Sequence, residues 1–245
     1  MPGNLLPILM YHHIAEPPRA VKVRGLYVTP KQFEWQIQCL KEAGFEFTNF
    51  RKLTNQNGEQ FSTSSSKRQI ILTFDDGYLD NYENAFPILR HYGITAVIYP
   101  VVGAIGKKKV IWKENDEQYP VDLMTKNAIQ EMHQAGVEFG SHLYDHMHLE
   151  QQTQASIQNQ LCRSKEILEN ILGEDVLSVA YPFGSYSSTV LQATAEAGYQ
   201  YGLTTVSGIN TAQQPHLELK RTAIKGNRLH HRWTFMKQLQ HELLA

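Results

Sequence analysis

Short apolar runs alternate with helical patterns along almost the whole chain, and this alternation narrows the choice of fold more than any other feature. "LPILM" (6–10) reads as a strand. "TPKQFEWQIQCLKEAG" reads as a helix with Thr29 as its cap, Pro30 at its first position, Phe33, Ile37 and Leu40 on one face, and Gly44 as its stop. "QIILTF" (69–74) and "TAVIYPVV" (95–102) are expected strands on either side of residues 80–92, whose helical composition Pro87 interrupts. A helix over Thr125–Ala135 ends at Gly136, "VEFG" (137–140) follows as a short strand, and a Gln-rich helix with Ile157, Leu161, Leu168 and Leu172 near one face runs to Gly173. "VLSVAY" (176–181), a helix over Ser187–Ala197 stopped by Gly198, "YGLTTV" (201–206) and a last helix near Trp233, Met236, Leu239 and Leu243 complete the series. Such alternation favours parallel βα units.

An open doubly wound sheet satisfies the same order of elements, so the choice rests on where the polar residues fall. Tyr11-His12-His13 follows the first strand, Asp75-Asp76-Gly77 follows "IILTF", Ser141-His142 follows "VEFG", and Pro182-Phe183-Gly184 follows "VLSVAY". A distorted, incomplete (β/α) barrel of the TIM-like type brings all of these C-terminal strand ends to one rim, where such barrels place their active sites. No internal repeat or linker breaks the pattern, and one domain is expected over residues 1–245. The polar stretch from 54 to 69 reads as a surface loop.

Composition excludes some partners. With a formal charge of −1 and scattered basic residues, the chain offers no electrostatic footprint for nucleic acid or an anionic membrane. Cys39 and Cys162, the two cysteines, lie in expected helices and read as core thiols rather than a disulfide framework. "MPGNLLPILMYHHI" has no basic leader region, and its apolar run is too short to span a membrane, so the chain as written reads as cytoplasmic. A chain trimmed of a leader would read the same way and would belong in the periplasm or outside the cell.

The chemistry-bearing residues cluster. Asp75 and Asp76 leave a strand in different directions, so they can hold two separate roles, although Asp-Asp-Gly alone fits an N-cap and a turn acid equally well. Eleven histidines are many for 245 residues. In "GSHLYDHMHL" (140–149), His142 and His146 are four apart, the spacing that puts two imidazoles on one face of a helical turn and suits a first-row metal. Surface histidines would give the same spacing. With a carboxylate from another strand end, the pair becomes a two-histidine, one-carboxylate set with coordination positions left open.

"TFDDG" (73–77), "GSHLYDH" (140–146) and "AYPFGSY" (180–186), in this order, resemble the first three motifs of the polysaccharide deacetylases. This is the NodB-homology group, carbohydrate esterase family four, whose members are metal-dependent amidases and esterases on a distorted (β/α) barrel. The likeness extends from Leu5 to about Gly226. It implies that Asp75 is the general base and that Asp76, His142 and His146 hold a divalent metal, zinc first, with nickel and cobalt as alternatives. A carboxylate on a cation is pinned and poorly basic, whereas its unbound neighbour can take a proton from the attacking water. The third motif implies oxyanion or substrate contacts at Phe183, Gly184 and Tyr181. His148 and Asp145 fall outside the implied ligand set.

The sequence departs from the family pattern twice. Family members commonly begin the third motif with an Arg that bonds the base, and Ala180 stands there; Arg221 in "ELKRTAIKG" could replace it from a late strand end or could be a solvated surface residue. The late motif whose histidine acts as general acid is missing. "LMYHHI" resembles the Tyr-His segment of the poly-N-acetylglucosamine deacetylases, which makes His12 the acid and leaves His13 facing the other way; His230 and His231 are a weaker alternative. "VGAIGKKK" (102–109) lacks phosphate-loop spacing and reads as a strand-following loop near substrate. The resemblance implies removal of N-acetyl, or less readily O-acetyl, groups from an N-acetylglucosamine-type sugar or polysaccharide. The alternatives are a deformylase or other amidase on a lipid- or nucleotide-linked sugar, and a catalytically impaired carbohydrate-binding descendant.

Overall fold

The strand that carries the acid pair is the one around which the others assemble. β5 (Arg68–Asp76) is buried along all but its first residue. It pairs in parallel with β1 (Ile8–Tyr11), β4 (Phe45–Thr48) and β6 (Val97–Pro100). The structure, a computed structural model, describes residues 5–54, 68–112, 117–226 and Phe235. The expected loop is therefore outside the described residues over 55–67, as is the last expected helix except for Phe235, whose ring lies 5.9 Å from that of Trp35.

The main sheet runs β12 (Thr222–Ala223), β1, β5, β6, β9 (Glu138–Phe139), with β4 on the first half of β5. β10 (Ser178–Ala180) and β11 (Tyr201–Leu203) form a separate parallel pair. A single parallel bridge, Ser141 to Val179, joins that pair to the end of β9, and another, Leu203 to Leu219, returns to the segment before β12. The ring of parallel strands thus closes through two lone bridges instead of full ladders, which is the distortion of this barrel. Two antiparallel or short pairs decorate it: β2 (His13–Ile14) lies along β3 (Tyr27–Val28), and β7 (Val110–Trp112) forms a hairpin with β8 (Glu117–Val121).

Period-two alternation sorts the strand residues between two cores. Ile8, Ile71, Val97, Tyr99 and Leu203 pack together inside the ring, while Leu9, Tyr11, Leu72, Phe74 and Ile98 pack outward against the helices. Thr73 and Asp75 share the inward parity of Ile71, so β5 carries Asp75 into the mouth of the ring.

The helices read from the sequence keep their expected limits to within about two residues among the described residues, while α2 (Phe50–Thr54), β4 and the β7–β8 pair are not among the expected elements. α1 (Pro30–Glu42) has a capping box between Thr29 and Gln32, α2 is a short turn, and α4 (Lys126–Gln134) is capped by Thr125. α5 (Gln154–Leu172) is capped by Thr153 and stops at left-handed Gly173, and α6 (Ser188–Glu196) is capped by Ser187. The helical run from 79 to 92 changes register just before Pro87: Asn81–Ala85 forms a π-helical turn, and Pro87, which has no N–H to give, follows in the first turn of α3 (Phe86–Tyr92).

One local expectation is corrected. His142 and His146 do not share a helical turn: Leu143 is left-handed (φ 64°), and the Leu143 and Tyr144 carbonyls accept from Val102 and Gly103 N–H. The segment bonds across to the loop after β6 instead of to itself.

Candidate active site

A three-residue turn separates the two acids at the end of β5. Gly77 N–H donates to Asp75 O at 2.9 Å, and Asp76 at its centre has φ 71°. Gly77 is required next, because at φ 75° a Cβ there would sit 2.7 Å from both Cα and Cβ of Pro100. Asp75 therefore continues the inward face of the strand while Asp76 swings away, and both are nearly sealed from solvent, at 3% and 2% exposure.

Asp75 meets a guanidinium. Arg221 Nη1 and Nη2 donate to its two carboxylate oxygens at 2.7 and 2.8 Å, Nη1 also reaches Thr73 Oγ1 at 3.3 Å, and Nε donates to Thr204 O at 2.9 Å. Arg221 is fully buried. Burial pushes the Asp75 carboxyl up, but Arg221 and the nearby imidazoles outweigh it and hold its pKa below the usual value. The guanidinium enters from the segment leading into β12, two strands away across β1, while Ala180 gives only its carbonyl to the site.

Asp76 meets the two histidines. Its Oδ1 lies 3.4 Å from the Nε2 of both His142 and His146, and one donor atom from each of the three residues falls within 4.8 Å of the others. His142 Nδ1 is 2.7 Å from Ala180 O, so the proton sits on Nδ1 and the Nε2 lone pair faces Asp76. Burial raises the Asp76 carboxyl and the imidazoles lower it, with a net displacement far below the ordinary range. Three buried nitrogen and oxygen donors converging with one tautomer fixed fit a zinc-class cation that keeps open positions.

Asp75, Asp76, His142 and His146 line one cavity of about 220 Å³ together with His12, Tyr181, Phe183 and Thr205. A family model described as polysaccharide deacetylase matches residues 62–202, which include both acids and both histidines. The chain belongs to the polysaccharide deacetylase family. YxkH of Bacillus subtilis, named as a candidate polysaccharide deacetylase, is 31% identical over 89% of this chain and 71% of its own length. The poly-beta-1,6-N-acetyl-D-glucosamine N-deacetylase of Staphylococcus aureus strain MRSA252 is 26% identical over 86% of this chain and 73% of its own. The solved deacetylase PplD of Streptococcus pyogenes, in complex with acetate, superposes with a TM-score of 0.78 at 28% identity, over 98% of this chain and 99% of that one.

His12 and Arg221 lie outside the residues that the family model matches, so their place in this deacetylase rests on geometry. His12 faces the cavity; burial lowers its pKa, and the two acids only partly offset that. His13 is turned away, stacked between Tyr27 and Tyr78 at 4.1 and 3.5 Å with its Nδ1 2.6 Å from Asp80 Oδ2. His230 and His231 are outside the described residues.

In the third motif, Pro182–Gly184 forms a tight turn with Phe183 at φ 59°. Tyr181 N–H donates to Leu203 O, Gly184 N–H donates to Tyr181 O, and the buried Tyr181 hydroxyl donates to Leu217 O. The Phe183 N–H is the donor of this turn for which the described residues offer no acceptor. Gly184 has another duty, since a Cβ there would meet Thr205 Oγ1 at 2.1 Å.

Several contributors were not readable from the sequence. The His148 ring stacks on Phe183 at 4.0 Å and 12°, Phe183 also packs on His146 at 4.5 Å, and Trp112 of the β7–β8 hairpin lies 5.1 Å from His146. Asp145 points outward and bonds with Gln160 of α5. The loop at 102–109 buttresses the histidine segment through Val102 and Gly103, while Lys107, Lys108 and Lys109 are exposed.

Proposed function

We propose that this polysaccharide deacetylase is a metal-dependent N-deacetylase of N-acetylglucosamine-type residues in a glycan. The observation that carries the reading is the division of labour between Asp75 and Asp76: adjacent in sequence, both buried, one clamped by Arg221 and the other facing two imidazole Nε2 atoms across a shared cavity. The substrate class draws support from the staphylococcal relative, which is named for poly-beta-1,6-N-acetyl-D-glucosamine. At about 220 Å³ the cavity has room for an acetamido group and part of one ring, with the rest of a chain outside.

Asp76, His142 and His146 would hold the cation, which when bound supplies a Lewis acid that polarises the acyl oxygen and acidifies water. Asp75 then takes the proton of the water that attacks the acyl carbon. Arg221 keeps that carboxylate ionised and fixes both its oxygens, so its orientation is settled before substrate arrives. Phe183 N–H faces the charge that develops on the acyl oxygen. His12 in its imidazolium form delivers a proton to the amide nitrogen as the C–N bond breaks, giving acetate and a free amine, and the proton that Asp75 took from the water then restores it.

Acetate release from oligomers of N-acetylglucosamine, with and without added zinc, tests this reading. Zinc-dependent release supports it; release of formate from N-formyl sugars alone, or of acetate from O-acetylated sugars alone, contradicts it.

A further inference from the structure

His12 is the single residue between β1, whose Tyr11 is paired with Phe74 of β5, and β2, which pairs with β3 over only two residues, His13 with Tyr27 and Ile14 with Val28, so the chain beyond His12 has little sheet to hold it. Side chains supply the missing anchors, and they come from one place. Asn81 Nδ2 donates to His12 O at 2.8 Å, Ile14 N–H donates to Asp80 Oδ1 at 2.9 Å, and Asn84 Nδ2 donates to Ile14 O at 2.8 Å. Asn81 Nδ2 also lies 3.0 Å from Asp80 Oδ1, which ties two of the anchors together. The second Asp80 oxygen faces His13 Nδ1, and the tyrosine sandwich fixes that ring. With His13 held outward, alternation along the extended segment directs His12 to the opposite side, where it lines the cavity.

Asn81 and Asn84 belong to the π-helical turn Asn81–Ala85, and Asp80 is its cap. Such turns are rare and concentrate at functional sites. This one begins a few residues beyond Asp76, so a single stretch of chain, from the acid pair to Asn84, sets both walls of the cavity. Asn81 is a fully buried polar residue whose amide is directed at a backbone carbonyl in the site segment.

We propose that Asp80, Asn81 and Asn84 are positioning residues, a clamp that fixes the His12–Ile14 backbone so that the His12 ring stands opposite Asp75 and Asp76. The inference rests on the reading of His12 as proton donor. It requires no contact between the clamp and the substrate. A displacement of about 1 Å at a catalytic group can cost on the order of 10²-fold in rate, which is the scale expected when the clamp is loosened.

The test uses Asn84→Ala, half-buried and the easier to accommodate, and Asn81→Ser, each in the wild-type and His12→Ala backgrounds, all zinc-supplemented. Turnover is measured on N-acetylglucosamine oligomers and on 4-nitrophenyl acetate, whose good leaving group needs little protonation. Each asparagine variant is expected to lose about 10- to 100-fold in kcat on the amide with KM little changed, to keep most of its aryl-ester turnover, and to add no further amide loss in the His12→Ala background. Equal losses on amide and ester, or the same amide loss with His12 already absent, would overturn the clamp and reduce these residues to supports of the fold. The two readings separate cleanly. Full amide turnover in His12→Ala removes the proton-donor reading and the clamp with it, whereas a selective amide defect in His12→Ala beside fully active Asn84→Ala and Asn81→Ser removes the clamp alone.

Discussion

Asp75 and Arg221 form the most consequential pair of residues outside the Asp76–His142–His146 group. Both are buried, the guanidinium meets the carboxylate in fork geometry, and its Nε is held by Thr204 O. Removing one partner of such a pair strands a charge in the interior, so Arg221→Met should lower stability by about 3–5 kcal/mol. Thermal or denaturant unfolding of the purified variant measures that loss. Arg221→Lys keeps the charge but cannot satisfy two carboxylate oxygens and Thr204 O at once, so it should fold while losing on the order of tenfold or more in acetate release. A fully active Lys variant would show that the charge alone suffices. The sequence placed Arg221 only ambiguously, at a strand end or on the surface, because its partner is 146 residues away and no local pattern encodes that distance.

At the scale of elements, the sequence made legible what period and punctuation control. The cap at Thr29 and the stops at Gly44, Gly136, Gly173 and Gly198 mark helix limits to within a residue or two. The strand-end position of the polar residues pointed to one rim, and the four residues Asp75, Asp76, His142 and His146 do line one cavity. What local pattern could not carry is long-range bonding. The spacing of His142 and His146 suggested a helical turn, yet the carbonyls between them accept from the loop after β6 and Leu143 turns left-handed. Closure of the ring through two isolated bridges was likewise invisible, since each bridge joins segments distant in sequence. The turn after β5 was readable from Gly77, and it gives a clear expectation. Gly77→Ala must place a Cβ 2.7 Å from Pro100 at φ 75°, so it should destabilise the protein by at least about 1–2 kcal/mol and disturb both acids at once. Unfolding curves and acetate release should fall together; a variant with wild-type stability would mean that β5 and β6 can separate at their ends without cost.

For the molecule as a whole, the barrel carries its burden of buried charge at both ends. Glu138 at the start of β9 is 4% exposed and accepts from Arg51 N–H at 3.0 Å. Burial pushes its carboxyl from 4.5 up to about 7, only partly opposed by Arg51. Because the folded chain binds this proton more tightly than the unfolded chain, stability should decline as pH rises from about 4.5 to about 7 and the cost is complete above that. Glu138→Gln removes the ionisation and should be more stable than wild type at pH 8, by at most about 3 kcal/mol, with the advantage vanishing toward pH 4.5. A difference independent of pH would remove this explanation.

The proposed division of roles between neighbouring carboxylates at one strand end is tested by elemental analysis of zinc-loaded Asp75→Asn and Asp76→Asn proteins, paired with acetate release from N-acetylglucosamine oligomers. Asp75→Asn should retain about one equivalent of zinc and lose on the order of 10²- to 10⁴-fold in turnover, while Asp76→Asn should lose its zinc. Equal zinc in both variants, or an Asp75→Asn protein that turns over like the wild type, would contradict the division of roles.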